Sequence, residues 1–292
     1  MPFYIVDVFG ESRYTGNQLA VFRKAGSLTG LEMQAIAKEM NFSETTFVRT
    51  DKETEGGFDV RIFTPTEELP FAGHPTLGTA YVIIQEILSR PVKKLVLNMQ
   101  VGKIPVTTHY RGKKLDLLWM QQKQPTFGPE ADAGGAASAL TLSSADLDER
   151  FPAEVVSTGI PFVILPLKSR EAVKRCRVNT EGYEELMKSS SSKGILVFCP
   201  EPYERKNDFN ARMFAPGVGV TEDPATGSAN GCLAAYLVKH RYLGKPAVNV
   251  RVEQGYEIGR PSLLHLRASE RPGVIDVRVG GKVAMVAMGE FV

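Results

Sequence analysis

Apolar side chains recur at every second position at Phe58, Val60 and Ile62, the alternation of a half-buried strand, and predict one over Phe58 to Phe63. Comparable short stretches predict strands at Phe3 to Val8, Gln18 to Arg23, Thr45 to Val48, Leu95 to Met99 and Lys103 to Thr108. Later strands are expected at Gly194 to Cys199, Phe209 to Phe214, Val248 to Glu253 and Leu263 to Leu266. The spacing becomes helical over Leu31 to Met40, where Met33, Ile36, Ala37 and Met40 share one face and the helix is expected to end near Asn41. Two further stretches have almost no polar face. Pro75 to Leu88 predicts a helix buried nearly all round, with Pro75 at its first position, and Ala229 to Val238 predicts a second.

These parts occur twice in the same order. FDVRIFTP at Phe58 to Pro65 returns as FNARMFAP at Phe209 to Pro216, identical at four of eight positions. Each copy is followed by a glycine with a polar neighbour, Gly73 and His74 in FAGHPTLG and Gly227 and Ser228 in DPATGSANG, and then by a buried helix. GNQLAVF at Gly16 to Phe22 likewise has a counterpart in GIPFVILPL at Gly159 to Leu167. Such repetition predicts two related halves. The tract from Gln121 to Pro152, rich in Pro, Gly, Ala and Ser and including ADAGGAASA, reads as the connection, with the linker at its start near residue 120.

The 292 residues have room for two domains. A net charge of +2, from 35 basic and 33 acidic side chains with no run of one sign, argues against a nucleic-acid or membrane-surface partner. No apolar run is long enough to span a membrane, and MPFYIVDVFG reads as a strand and not as a secretion signal. Cys176, Cys199 and Cys232 are odd in number and scattered, as expected of reduced core thiols in the cytoplasm, and neither they nor the four histidines show a metal-ligand spacing.

A buried helix beginning at a glycine presents backbone N–H groups and the positive end of its dipole, which suits a carboxylate or a developing anion. This chain has two such starts, expected to converge on one cleft at the seam of the halves. Glu44 in NFSETTFV, His74, Asp223 in EDPATGS and Ser228 are the candidate proton carriers and hydrogen-bonding groups. No electron sink is evident, and GVG at Gly217 to Gly219 lacks the third glycine of a dinucleotide loop. Each candidate also has a structural reading. Glu44 reads as a solvated strand-end carboxylate, Asp223 before Pro224 as a turn former, Ser228 and His74 as helix caps, and Cys232 as a packed core thiol.

Taken together, NFSETTFV, FAGHPTLGTA and EDPATGSANG resemble the signature motifs of the PhzF-like family, named for the phenazine-biosynthesis isomerase. GNQLAVF is similar to the family's GNPLAV segment, with Gln18 in place of the commoner proline, and adds Asn17 to the substrate-binding candidates. The resemblance spans the chain. It implies the diaminopimelate-epimerase-like α/β fold: two pseudo-symmetric domains, residues 1–120 joined by 282–292 and residues 121–281, each a curved, mostly antiparallel sheet around a central helix. It also implies a homodimer, and a cofactor-independent isomerase of a small anionic carboxylate metabolite such as trans-2,3-dihydro-3-hydroxyanthranilate. By the same resemblance, Glu44 is the general acid/base, His74 and Asp223 assist, and Gly73, Gly227 and Ser228 hold the substrate. The two-cysteine mechanism of related epimerases does not transfer, because Ala72 precedes Gly73 and Asp223 to Thr226 contains no cysteine. Two other readings stay open, a family member that binds without catalysis and an epimerase pairing Glu44 with Asp223 or His74.

Overall fold

The computed structural model describes the backbone of residues 1–292 and every side chain except that of Val218. The chain forms two compact units, Met1–Gln121 with Gly280–Val292, and Gln122–Val279. The first is a mostly antiparallel sheet. Val283–Glu290 pairs with Pro2–Val8, which pairs with Asn17–Phe22, all antiparallel. Asn17–Phe22 runs parallel to Thr45–Val48, which pairs antiparallel with Phe58–Phe63. Phe58–Phe63 then has two partners on its other side, the short antiparallel Glu68–Leu69 and, at its start, the parallel Lys94–Met99.

The second unit repeats that succession. Glu154–Ser157 and Pro161–Pro166 are antiparallel, Pro161–Pro166 and Ile195–Cys199 parallel, and Ile195–Cys199 and Phe209–Ala215 antiparallel. Phe209–Ala215 in turn takes Val220–Asp223 antiparallel and Ala247–Gln254 parallel. The amino-acid repeat is thus a repeat of strand pairings, and the architecture is the mixed α/β, epimerase-like one that the motifs implied.

A helix runs through the middle of each unit. Gly73–Val82 touches strands from both ends of the first sheet, and Gly227–Lys239 packs on Glu154–Ser157, Pro161–Pro166 and Ala247–Gln254 in the second. The first helix lies close to its sheet because Gly78 has no side chain. A Cβ there would stand 2.5 Å from Leu19 Cδ2 and 2.8 Å from Val8 Cγ2. The helix Gly30–Met40 packs outside, against a layer containing Phe22, Phe47 and Phe63. It starts with a Thr29–Glu32 capping box and ends at Asn41 in the left-handed conformation.

Four local expectations need correction. Pro75 is the third helical residue, since the helix begins at Gly73; its missing N–H still belongs to the first turn, where no intrahelical partner exists. Ser228 does not cap its helix, because Thr226 occupies the N-cap position. Beyond Val82 the chain widens into a π-helix at Ile83–Leu88, closed by the Ser89 N–H on the Ile84 carbonyl, and the wider turn buries the adjacent Ile83 and Ile84 together. The glycine- and alanine-rich tract is not an open connection. Thr126–Glu130 is a strand, and Ala133–Ser138 is a short helix that buries Ala136 and Ala137 in the core with Leu165 and Tyr183. No helix among the described residues is long and apolar enough to cross a membrane.

One contact recurs at the matched position of both units. Arg61 forks onto Glu68, with Nε and Nη2 each 2.7 Å from a carboxylate oxygen, and Arg212 forks onto Glu222 at 2.8 and 2.7 Å. Both guanidinium groups also lie over the phenylalanine two residues on, Phe63 at 5.1 Å and Phe214 at 4.8 Å. The fork fastens the strand to the segment that turns back toward the central helix. The second copy is buried, and its Nη1 additionally donates to the carbonyls of Val173 and Cys176; the first is about one-third exposed. Arg212→Ala is therefore expected to destabilise the protein by about 3–5 kcal/mol, through the stranded Glu222 carboxylate, and Arg61→Ala by about 1 kcal/mol. Urea unfolding of both variants checks this, and equal losses would contradict it.

Candidate active site

The two central helices start in the same way. Glu68, Pro70 and Gly73 in the first unit match Glu222, Pro224 and Gly227 in the second, a common E-x-P-x-x-G spacing that carries the chain from the clamped glutamate to the first helical residue. Ala72 and Thr226 hold the two N-cap positions in extended conformation. Neither gives a side-chain cap, and neither first turn has an acidic residue among the described residues. No residue of either first turn neutralises the positive end of the dipole, which favours an anion there. In both starts the fourth helical side chain secures the N-cap carbonyl, Thr76 Oγ1 on Ala72 at 2.7 Å and Asn230 Nδ2 on Thr226 at 3.1 Å.

At the first start the structure brings His74 and Glu44 together. Glu44 stands just before Thr45–Val48, and Thr46 in that strand bonds Thr79 of the helix at 2.8 Å, fixing one element on the other. His74 is buried, with Nε2 3.3 Å from the Gln18 carbonyl and 3.4 Å from Glu44 Oε2. A carbonyl can only accept, so Nε2 carries the proton and donates it to Gln18. Burial pushes the imidazole down to about 3, against the raising effect of the Gln18 carbonyl, so the ring is neutral at ordinary pH. The Glu44 contact is then the close approach of a neutral ring to a carboxyl group, not an ion pair. Asn17, next to Gln18, begins Asn17–Phe22 and is buried.

At the second start Asp223 ends its strand and is 7% exposed, with Oδ2 accepting from Thr226 Oγ1. Gly227 is the first helical residue and Ser228 the second; the Ser228 carbonyl accepts from Thr158 Oγ1 at 3.5 Å. Cys176, Cys199 and Cys232 are free and buried, and burial pushes all three thiols up to about 12, which makes them poor proton carriers.

Sequence reasoning found the acids, the histidine and the glycines but missed the residues holding them: Arg61, Arg212, Thr226, Asn230 and Gln254. For the arginines a signal was present, since arginine is one of the four identities between FDVRIFTP and FNARMFAP. Gln254 gave none. It reaches Asp223 only through the parallel pairing of Phe209–Ala211 with Val252–Gln254.

The chain is similar to known proteins over nearly its whole length. The chain matches the PhzC-PhzF family model, described as phenazine biosynthesis-like protein, over residues 6–289. It is 34% identical over 282 residues to the trans-2,3-dihydro-3-hydroxyanthranilate isomerase of Pseudomonas aeruginosa, covering 96% of this chain and 95% of that protein. An uncharacterized isomerase of Clostridium acetobutylicum is 31% identical over 296 residues, covering 99% and 97%. The crystal structure of the Bacillus anthracis phenazine biosynthesis protein of the PhzF family matches with a TM-score of 0.91 at 27% identity, covering 100% of this chain and 99% of that one. A probable proline racemase from Agrobacterium radiobacter, at 8% identity and a TM-score of 0.63 over 100% of this chain and 92% of its own, shares the fold alone. With its motifs, its doubled architecture and a family match over nearly its whole length, the chain belongs to the PhzF family of phenazine biosynthesis-like proteins.

Proposed function

We infer that the chain, an isomerase of the PhzF family, moves a proton within a small cyclic carboxylate-bearing metabolite, with Glu44 as general acid and base. The observation that carries this reading is the Glu44 carboxyl group held against a buried, neutral His74 at an uncapped helix start. Glu44 takes a proton from one substrate carbon and becomes a carboxylic acid. It then delivers a proton to another carbon and is a carboxylate again. Because the proton returns to the molecule it left, this class of reaction needs neither a redox partner nor a second substrate.

His74 is too weak a base near neutrality to compete for that proton. Its role in this proposal is to hold a neutral polar ring against Glu44, orienting the carboxyl group for both transfers. Backbone N–H groups at Gly73 and Gly227, with the Ser228 hydroxyl and Asn17, are assigned to the polar groups of the substrate. Asp223 is assigned to assist transfer. The substrate class rests on the P. aeruginosa relative, named for trans-2,3-dihydro-3-hydroxyanthranilate, and on the preference of helix starts for anions.

Glu44→Gln keeps the size of the side chain and removes its proton chemistry. It is expected to lower kcat by about 10²- to 10⁴-fold while calorimetric binding of the substrate persists. Asp223→Asn should lower kcat as well. Wild-type turnover by Glu44→Gln would contradict the assignment.

The buried imidazole also predicts a pH dependence of stability. The folded protein holds His74 near 3, whereas the unfolded chain protonates it near 6.5, so the unfolded state binds more protons in that window. The stability contributed by the neutral ring is complete above about 6.5 and is lost as pH falls toward 3, by up to about 1.4 kcal/mol per pH unit. His74→Gln is expected to flatten this acid limb in urea titrations between pH 7 and 4. An unchanged slope would show that the ring is not held neutral.

A further inference from the structure

Beneath the second helix start lies a carboxamide that the proposed chemistry does not use. Gln254, fully buried at the end of Ala247–Gln254, donates from Nε2 to the Asp223 carbonyl at 2.7 Å and to Thr226 Oγ1 at 3.2 Å. Its Oε1 accepts from the Thr226 N–H at 3.3 Å and from Asn230 Nδ2 at 2.8 Å. These partners admit only one orientation of the amide. The Asp223 carbonyl can only accept and the Thr226 N–H can only donate, so a flipped amide would set like against like at both. The Thr226 hydroxyl, receiving from Nε2, directs its own proton to Asp223 Oδ2. One side chain thereby fixes the main chain from Asp223 to Thr226 and, through Thr226, the Asp223 carboxylate. The next residue, Gly255, has φ 77°, and a Cβ there would lie 2.6 Å from the Pro224 carbonyl, so the glycine lets the strand end pass directly under this turn.

The internal repeat supplies a comparison within the molecule. Asp59 pairs with Asn98 where Asn210 pairs with Glu253, so Met99 stands where Gln254 stands, and Thr76 stands where Asn230 does. Met99 offers only a thioether, 3.8 Å from Thr76 Oγ1, which cannot donate and cannot bridge. The residue matching Asp223 is Leu69. The unit with a carboxylate at this place has the amide beneath it, and the unit without the carboxylate has neither. A purely architectural role in starting the helix would apply to both.

We propose that Gln254 is a positioning residue for Asp223 and the second helix start, holding the carboxylate in one rotamer through Thr226. This rests on the reading that Asp223 takes part in turnover. The test replaces Gln254 with the residue that the first unit carries, Gln254→Met, and compares kcat and KM on trans-2,3-dihydro-3-hydroxyanthranilate with hydrogen exchange at the Thr226 amide. Expected are exchange at Thr226 about tenfold faster, kcat lower by about tenfold to a hundredfold, and KM within about threefold of wild type. Gln254→Glu, which retains an acceptor for the Thr226 N–H and loses the amide donors, should keep slow exchange at Thr226 while kcat still falls. Unchanged exchange in Gln254→Met overturns the proposal, as does full kcat in Gln254→Glu should the methionine variant fail to fold. Full turnover by Asp223→Asn would instead overturn the role of Asp223 and leave the exchange result standing, so the two failures are read separately.

Discussion

An α-helix leaves its first four N–H groups without intrahelical partners, and a helix that begins inside a sheet has little water to supply them. Ordinary helices meet this with a Ser, Thr, Asp or Asn cap worth about 0.5–2 kcal/mol. The surface helix Gly30–Met40 does so through Thr29 and Glu32, and the two central helices do not. The remaining features of each unit follow from that difference. An arginine–glutamate fork anchors the segment that leads into each start, a proline stiffens it, and a side chain on the first turn pins the N-cap carbonyl. The backbone is held in place at both helix starts, which is the arrangement that the proposed electrostatic stabilisation requires.

On this frame the two units have diverged in the chemistry at their helix starts. The first carries a buried imidazole kept neutral by desolvation and 3.4 Å from Glu44. The second carries an aspartate held by a threonine and, beneath it, a carboxamide. In the proposed reaction, a neutral ring beside Glu44 lets the carboxyl group gain and lose a proton without an imidazolium forming. The buried thiols, all raised by burial, are given no part in the proposed chemistry.

Most of the architecture could be read from the chain. Short β-like stretches placed Thr45–Val48 and Phe58–Phe63 to the residue, and the central helices begin at the two singled-out glycines, two residues before the expected Pro75 and Ala229. What escaped was set by long-range geometry or by ambiguous composition. Ala133–Ser138 lies in a glycine- and alanine-rich tract whose composition suits a loop as well as a short helix, and the decision is made by burial of Ala136 and Ala137. The π-helix after Val82 has no sequence mark that separates it from a continued α-helix. Among the candidate residues, those with chemistry stood out by type and repetition. Gln254 and Asn230 are ordinary residues until a parallel strand pairing brings the amide under Asp223.

The central claim is that a proton leaves one carbon of the substrate and a proton arrives at another, through one carboxyl group. Its most direct test is turnover of trans-2,3-dihydro-3-hydroxyanthranilate by the wild-type protein in deuterated water, with the product examined by mass and by NMR. The account predicts one deuterium at a ring carbon that carried no exchangeable hydrogen in the substrate, at a level set by how fast the Glu44 proton exchanges with solvent during a turnover. Inversion of a stereocentre with the carbon framework otherwise unchanged, or binding with neither isomerisation nor deuterium uptake, would contradict it.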